Sequence, residues 1–260
     1  MTRFNPTHLA AALGLAALAA CSDPAPPEPA AGRETAGRTG YVEAPRAVSL
    51  TATPAGLRLV GRAAPGARVR LASPEGEARF ADANGEGVFV IDLPAADAPR
   101  IYGLSMMLEE RLVQAQGYLL ILPEPRLVLL RAGAGAVVHA PSGEGPKILA
   151  FDYDAEGGAV VSGVAPAGAS LAAQIDGRPA ATNGRVGEDG RFSLPFGAPV
   201  SAGEHRIAVQ GDGFEAEARV QVTPGEDPQS GAFRTVTTAY GQRIDWLTPG
   251  GGLQLSLIHI

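Results

Sequence analysis

The side chains that could do chemistry in this sequence are few, and they lie far apart. Cys21 is the only cysteine, so it has no disulfide partner in the chain. It follows Leu18-Ala19-Ala20, which closes an apolar run from Leu9 to Ala19 behind the positive charge of Arg3. A charged start, a short apolar core and small residues make the pattern of a cleaved secretory signal over residues 1–20. The run is about half the ~20 apolar residues that a bilayer-spanning helix needs. Asp152, Asp154, Glu156 and Gly157 match positions 1, 3, 5 and 6 of a calcium loop, but Gly163 stands where a bidentate Glu is needed. Gly157-Gly158 accounts for itself as a hairpin turn, and no metal site is expected. His139 and His205, the histidines outside the signal and the last six residues, lack a second thiol or a paired spacing and so give no zinc site. His205 shares a strand face with Ile207 and Val209. Glu215 and Glu217 read as a wet strand face before they read as glycosidase carboxylates. Trp246 with Tyr240 could stack on a sugar ring, although a lone Trp more commonly plugs a small core. The chain contains no nucleophile elbow, Walker loop or dinucleotide fingerprint, so neither catalytic residues nor a cofactor are expected.

Leu18-Ala19-Ala20-Cys21 resembles the lipobox of bacterial lipoproteins. That resemblance implies cleavage before Cys21 and acyl chains on its sulfur and new amino group, hence a membrane partner. Ser22 resembles the residue found after the cysteine in outer-membrane-sorted members, which implies an anchor there facing the periplasm. Loss of residues 1–20 removes one basic residue, Arg3, leaving 20 basic against 27 acidic residues and a formal charge of −7. Nucleic acid would call for a basic stripe and is excluded as a partner. No polybasic segment is visible for anionic lipid, so attachment rests on the acyl chains.

Residues 21–47 read as the lipidated cysteine and a flexible tether. Pro24, Pro26, Pro27, Pro29 and Pro45 are spaced by Ala, Gly, Glu and Arg, and such a segment cannot bury enough surface to offset its ordering entropy. From residue 48 the hydrophobic period becomes two, the mark of strands with one wet face. Leu57 and Leu59 flank Arg58, and Val69 and Leu71 alternate with Arg68 and Arg70. Asn84-Gly85 signals a type I′ hairpin turn. Leu104 to Gln116 reads as strand or as a short helix. Tyr118 to Leu122 fits a buried closing strand. Gly163-Val-Ala-Pro166-Ala-Gly168 repeats the motif that begins at Gly61, and Asp189-Gly190 before Phe192 repeats Asn84-Gly85 before Phe89. Leu194-Pro195 likewise matches Leu93-Pro94. Two copies of one plan predict two similar domains, residues 48–123 and 148–223. Residues 124–147 are then a linker or the first strands of the second domain. The firmest alternation puts Phe214, Ala216, Ala218, Val220 and Val222 on one face.

These two segments resemble bacterial immunoglobulin-like repeats of envelope proteins and are similar to carboxypeptidase-regulatory-like sandwiches. The resemblance implies an all-β fold: two tandem immunoglobulin-like antiparallel β-sandwiches behind a disordered Pro/Ala-rich tether. It implies no fixed activity, since such modules serve as spacers, adhesins and docking units. Residues 224–254 read as a linker with short C-terminal strands. Residues 255–260, Leu-Ser-Leu-Ile-His-Ile, resemble the translation of a sequencing adapter, which would make them an artefact on a chain that naturally continues past Gln254; an ordinary apolar strand is the alternative. The expected function is that of a non-catalytic envelope lipoprotein that binds or spaces, with an envelope protein or a cell-wall polymer as partner. The rival expectation is the accessory region of a truncated envelope enzyme or of a LysM-type peptidoglycan-binding protein.

Overall fold

In the computed structural model, residues 42–95, 97–139, 145–181 and 183–259 are described. Cys21, the signal and most of the tether lie outside them. Every regular element among the described residues is a β-strand.

The first seven strands are β1 (Arg46–Thr53), β2 (Gly56–Arg62), β3 (Arg68–Ala72), β4 (Ala78–Asp82), β5 (Val88–Leu93), β6 (Arg100–Leu108) and β7 (Arg111–Gln114). They form a β1-β2-β5 sheet and, from the others, a ladder β4-β3-β6 with β7 paired to β6. Leu57, Leu59, Phe89 and Ile91 of the first sheet meet Val69, Leu71, Leu104 and Met106 of the second in one core. Every pairing is antiparallel, and three strands on four in this order is the Greek-key arrangement of an immunoglobulin-like sandwich. The period-two segments fold as the alternation requires, and β2 shows it directly, with Leu57 and Leu59 buried and Arg58 exposed.

Between the sandwiches run β8 (Tyr118–Leu122), β9 (Arg126–Leu130) and β10 (Val137–His139). The second sandwich repeats the first with β11 (Lys147–Asp154), β12 (Ala159–Val164), β13 (Ser170–Ile175), β14 (Arg178–Pro179), β15 (Gly184–Arg185), β16 (Arg191–Phe196), β17 (Gly203–Gly211) and β18 (Phe214–Val222). Here β11-β12-β16 faces β14-β13-β17-β18, with β15 also on β13. The repeat is atomic as well as topological. Gly61 pairs with Phe89 across β2 and β5, and Gly163 pairs with Phe192 across β12 and β16. A Cβ on Gly61 would lie 2.1 Å from the Phe89 ring, and one on Gly163 would lie 2.7 Å from the Phe192 ring. Each glycine clears the space its cross-strand phenylalanine fills.

Two details depart from the expectations, and a third is settled as strand. Asn84-Gly85 is not a type I′ hairpin: neither residue has positive φ, which falls instead on Gly87 at 75°. The Asn84 carboxamide accepts the Glu86 and Val88 amides, and this side-chain turn carries the chain from one sheet to the other. Gly190, at 74°, is the counterpart of Gly87. Consequently Leu194, opposite Val161, corresponds to Ile91, opposite Leu59, and not to Leu93. The segment from Leu104 to Gln116 holds most of β6 and all of β7, joined through Glu109 and Glu110 at φ 47° and 63°.

A third core joins the two sandwiches. β8, β9 and β10 extend the β6 sheet as a meander, because β8 pairs with the first residues of β6. A second meander, β19 (Phe233–Thr238), β20 (Gly241–Leu247) and β21 (Leu253–Ile258), extends the sheet of β11, with β21 between β11 and β20. Ile101, Leu120, Leu122, Val128, Leu130 and Val138 pack there against Leu149, Ile244, Trp246 and Ile258. Within residues 124–147, expected as a linker or as first strands of the second domain, β9 and β10 join the middle layer on the β6 sheet of the first sandwich. Leu255 and Leu257 enter the second core while Ile258 enters the third. β21 is paired on both sides, and this pairing by itself leaves the adapter resemblance of residues 255–260 as it stands.

Candidate functional site

The residues singled out for chemistry are distributed along the strands and are not gathered in one place. Asp152 is 1% exposed. Its Oδ2 accepts the Ala136 amide at 2.7 Å, its Oδ1 accepts the Ser256 hydroxyl, and Ser256 Oγ in turn accepts the Trp246 indole N–H at 3.1 Å. Burial pushes its carboxyl up to about 6 against the pull of these donors. Asp154 accepts the Gly158 amide at 2.8 Å and closes the β11–β12 hairpin. Asp154 thus serves the hairpin turn, whereas Asp152 departs from the solvated turn expected of this motif, being buried between Ala136 and Ser256. Among the described residues, no group of three or more His, Cys, Asp or Glu side chains converges as metal ligands do.

His139 Nδ1 lies 3.2 Å from the Val48 carbonyl oxygen, and burial followed by the nearby Arg191 charge lowers its pKa to about 4. His205 is 6% exposed, at the strand position expected for it. Its Nδ1 meets Asp176 Oδ2 at 2.6 Å and its Nε2 meets the Ser201 carbonyl at 2.7 Å. An Asp–His pair whose second nitrogen faces a carbonyl has no hydroxyl to activate, so it braces the start of β17. The Arg206 amide and then His205 hold the Asp176 carboxyl below its usual range.

Glu215 and Glu217 are on the exposed face of β18, where Glu217 pairs with Arg206 and Glu215 accepts from Gln210. Trp246 is fully buried in the third core, with its ring 6.0 Å from Tyr118 in edge contact. The Tyr240 hydroxyl donates to Glu204 at 2.8 Å, so the two aromatics form no stacking platform. One buried ionic cluster carried no advance signal: Asp245, 0% exposed, lies between Arg243 Nε at 2.8 Å and Arg234 Nε at 3.1 Å. Those two Nε contacts are electrostatic, without hydrogen-bond alignment, and Arg243 Nη2 supplies the aligned donor at 3.0 Å. The cluster ties β20 back to Thr223 at the end of β18, through a second Arg243 donor.

One cavity stands out, with a volume of about 410 Å³. The β3–β4 turn supplies Ser73, Glu75 and Glu77, β4 supplies Arg79, the start of β6 supplies Arg100, Ile101 and Tyr102, and β19 supplies Phe233. The Ser73 amide donates to the Glu77 carbonyl at 2.9 Å and the Gly76 amide to the Ser73 carbonyl at 3.1 Å, which fixes the turn. The residues come from three distant stretches of sequence, and no motif marked them.

No family model matches the chain, and no curated protein matches it. Solved structures similar to it are the BSP domain of a biofilm-associated protein (14% identity, 72% of this chain, 30% of that one, TM-score 0.24) and the chicken interferon gamma receptor alpha chain (12% identity, 70% and 99%, TM-score 0.23). Titin domains A168–A170 are another (14% identity, 84% and 88%, TM-score 0.21). The chain spans less than a third of the length of the biofilm-associated protein it matches. The class of the protein, an all-β chain of tandem antiparallel sandwiches, rests on its own strand order.

Proposed function

We propose that the protein is a lipid-anchored module of the cell envelope that acts by binding or spacing and not by catalysis. The third core is the observation that supports this reading. A spacer has to resist bending where its domains meet, and here that junction is filled by Trp246, Leu120, Leu130 and Ile244 instead of a free linker. Cys21 is the anchor in this reading. Its acyl chains each contribute about 0.8 kcal/mol per buried methylene, so two or more chains hold stably where one does not. The tether of residues 21–47 then lets the sandwiches stand off an outer membrane, facing the periplasm, within reach of an envelope protein or a cell-wall polymer.

The test is fractionation with radiolabelled palmitate. The parent chain should take up label and sediment with membranes, while Cys21→Ala should take up none and move to the soluble fraction. A Cys21→Ala protein that still sediments after a carbonate wash contradicts the anchor.

A further inference from the structure

The cavity between the β3–β4 turn, the start of β6 and β19 holds charges of both signs that do not pair with one another. Elsewhere on the surface several opposite charges do pair: Arg58 with Asp92 at 2.8 Å, Arg206 with Glu217, and Arg219 with Glu204 at 3.7 Å. Among the described residues Glu75, Glu77 and Arg79 have no ion pair or side-chain hydrogen bond, although all three line the same 410 Å³. Arg100 adds a second guanidinium, of which one nitrogen donates to the Ala95 carbonyl at 3.2 Å. The Ser73 hydroxyl, also in the lining, is buried without any partner. Its oxygen is closed to water, so a ligand in the cavity does not reach it and the recognition rests on the four charged side chains. The remaining wall is apolar, from Pro94, Pro99, Ile101 and the half-buried Phe233.

The geometry points to a binding site for a zwitterion: a short peptide or free amino acid with its ammonium on Glu75 and Glu77, its carboxylate on Arg79 and Arg100, and an apolar side chain on the Pro94–Phe233 wall. Two carboxylates and two guanidiniums cancel in formal charge, so a simple anion or cation gains on one side what it loses on the other. A neutral hydroxylated ring would desolvate all four groups and answer none with a charge. A ligand that carries both charges completes both sides with charge-assisted hydrogen bonds, the stronger kind. The volume lies within the usual ~300–1,000 Å³ of small-ligand sites. A volume of about 410 Å³ leaves room for more than one residue, which favours a peptide over a single amino acid. This proposal extends the binding role above and does not depend on Cys21, so its failure leaves the membrane fractionation untouched.

The test is calorimetric titration of the purified full-length protein with L-alanine, L-alanyl-L-alanine and trialanine, and with the dipeptide N-acetylated or C-amidated. The dipeptide with both ends free should saturate the protein, and blocking either end should weaken binding by about tenfold or more. Glu75→Gln combined with Glu77→Gln should weaken the free dipeptide while leaving the N-acetylated form at its already reduced affinity. Arg79→Gln should do the same with respect to the C-amidated form. All three side chains are exposed, and unchanged Trp246 emission checks that each variant is folded. Equal binding of free and blocked dipeptides overturns the proposal, as does saturation by N-acetylglucosamine in their place. So does an absence of saturation by any of these up to about 10 mM, where binding free energy has fallen below ~3 kcal/mol.

Discussion

Two buried titratable groups set opposite pH dependences on the stability of this fold, and they largely mask each other. Burial raises the Asp152 carboxyl to about 6 from 3.8. Below about pH 4 the group is protonated in both states and costs nothing. As pH rises to about 6 the unfolded chain gives up the proton first, so stability falls by about 3 kcal/mol, the value of some two pKa units. His139 runs the other way, since burial and Arg191 lower it from 6.5 to about 4. Its contribution is complete above pH 6.5 and is lost as pH falls through about 4, again by about 3 kcal/mol. Wild-type stability should therefore be nearly flat in these two groups between pH 4 and 6.5. Burial also lowers His259, which adds in the direction of His139 and cancels when each variant is compared with its parent. Asp152→Asn should make stability, relative to wild type, rise with pH across this window, and His139→Gln should make it fall. Guanidinium midpoints measured at half-unit steps read both slopes. Difference curves that stay flat within about 0.5 kcal/mol for both variants would refute the buried-charge reasoning.

Other consequences are local to single residues. Glu110 adopts φ 63°, a region that costs a side-chain-bearing residue about 1 kcal/mol, so Glu110→Gly should raise the denaturation midpoint, and a lower midpoint would place the turn in another conformation. Gly61→Ala drives a Cβ to 2.1 Å from the Phe89 ring and 2.6 Å from the Arg46 carbonyl, so it should cost about 1–3 kcal/mol by chemical denaturation; a loss under about 0.5 kcal/mol would mean that β2 and β5 do not pair in this register. Gly163→Ala should cost a similar amount, because its Cβ would lie 2.0 Å from the Lys147 carbonyl and 2.7 Å from Phe192; indifference there would undo the equivalence of the two sandwiches.

Much of the fold was legible because period-two alternation is a local signal. β18 burying Ala216, Val220 and Val222 while exposing Glu215, Glu217 and Arg219 is the plainest instance. The repeat was legible too, through the Gly61 and Gly163 motifs, since the same packing problem recurs at the same place. The turn geometry was not, because the Asn84 side chain took over hydrogen bonds that the Asn-Gly pair would otherwise have made through its backbone. The third core was invisible for a different reason. Leu127 to Leu130 is a short apolar run and Ile244 and Trp246 are two apolar residues flanking Asp245, more than a hundred residues away, and each makes sense only against the other. The cavity lies at the same limit, with Ser73, Arg100 and Phe233 brought together by strand order alone. Cys21 is the converse case, a chemical reading carried wholly by sequence.

Joined by the middle core, both sandwiches should unfold as one cooperative unit, and Trp246 offers a direct probe of it. It is the only tryptophan, fully buried in the third core, while far-ultraviolet dichroism reports strands throughout. Guanidinium unfolding followed by Trp246 emission and by dichroism should give coincident transitions with one midpoint. A red shift of Trp246 emission completed at lower denaturant than the loss of dichroism would mean that the junction melts first and that the sandwiches are independent beads on a linker.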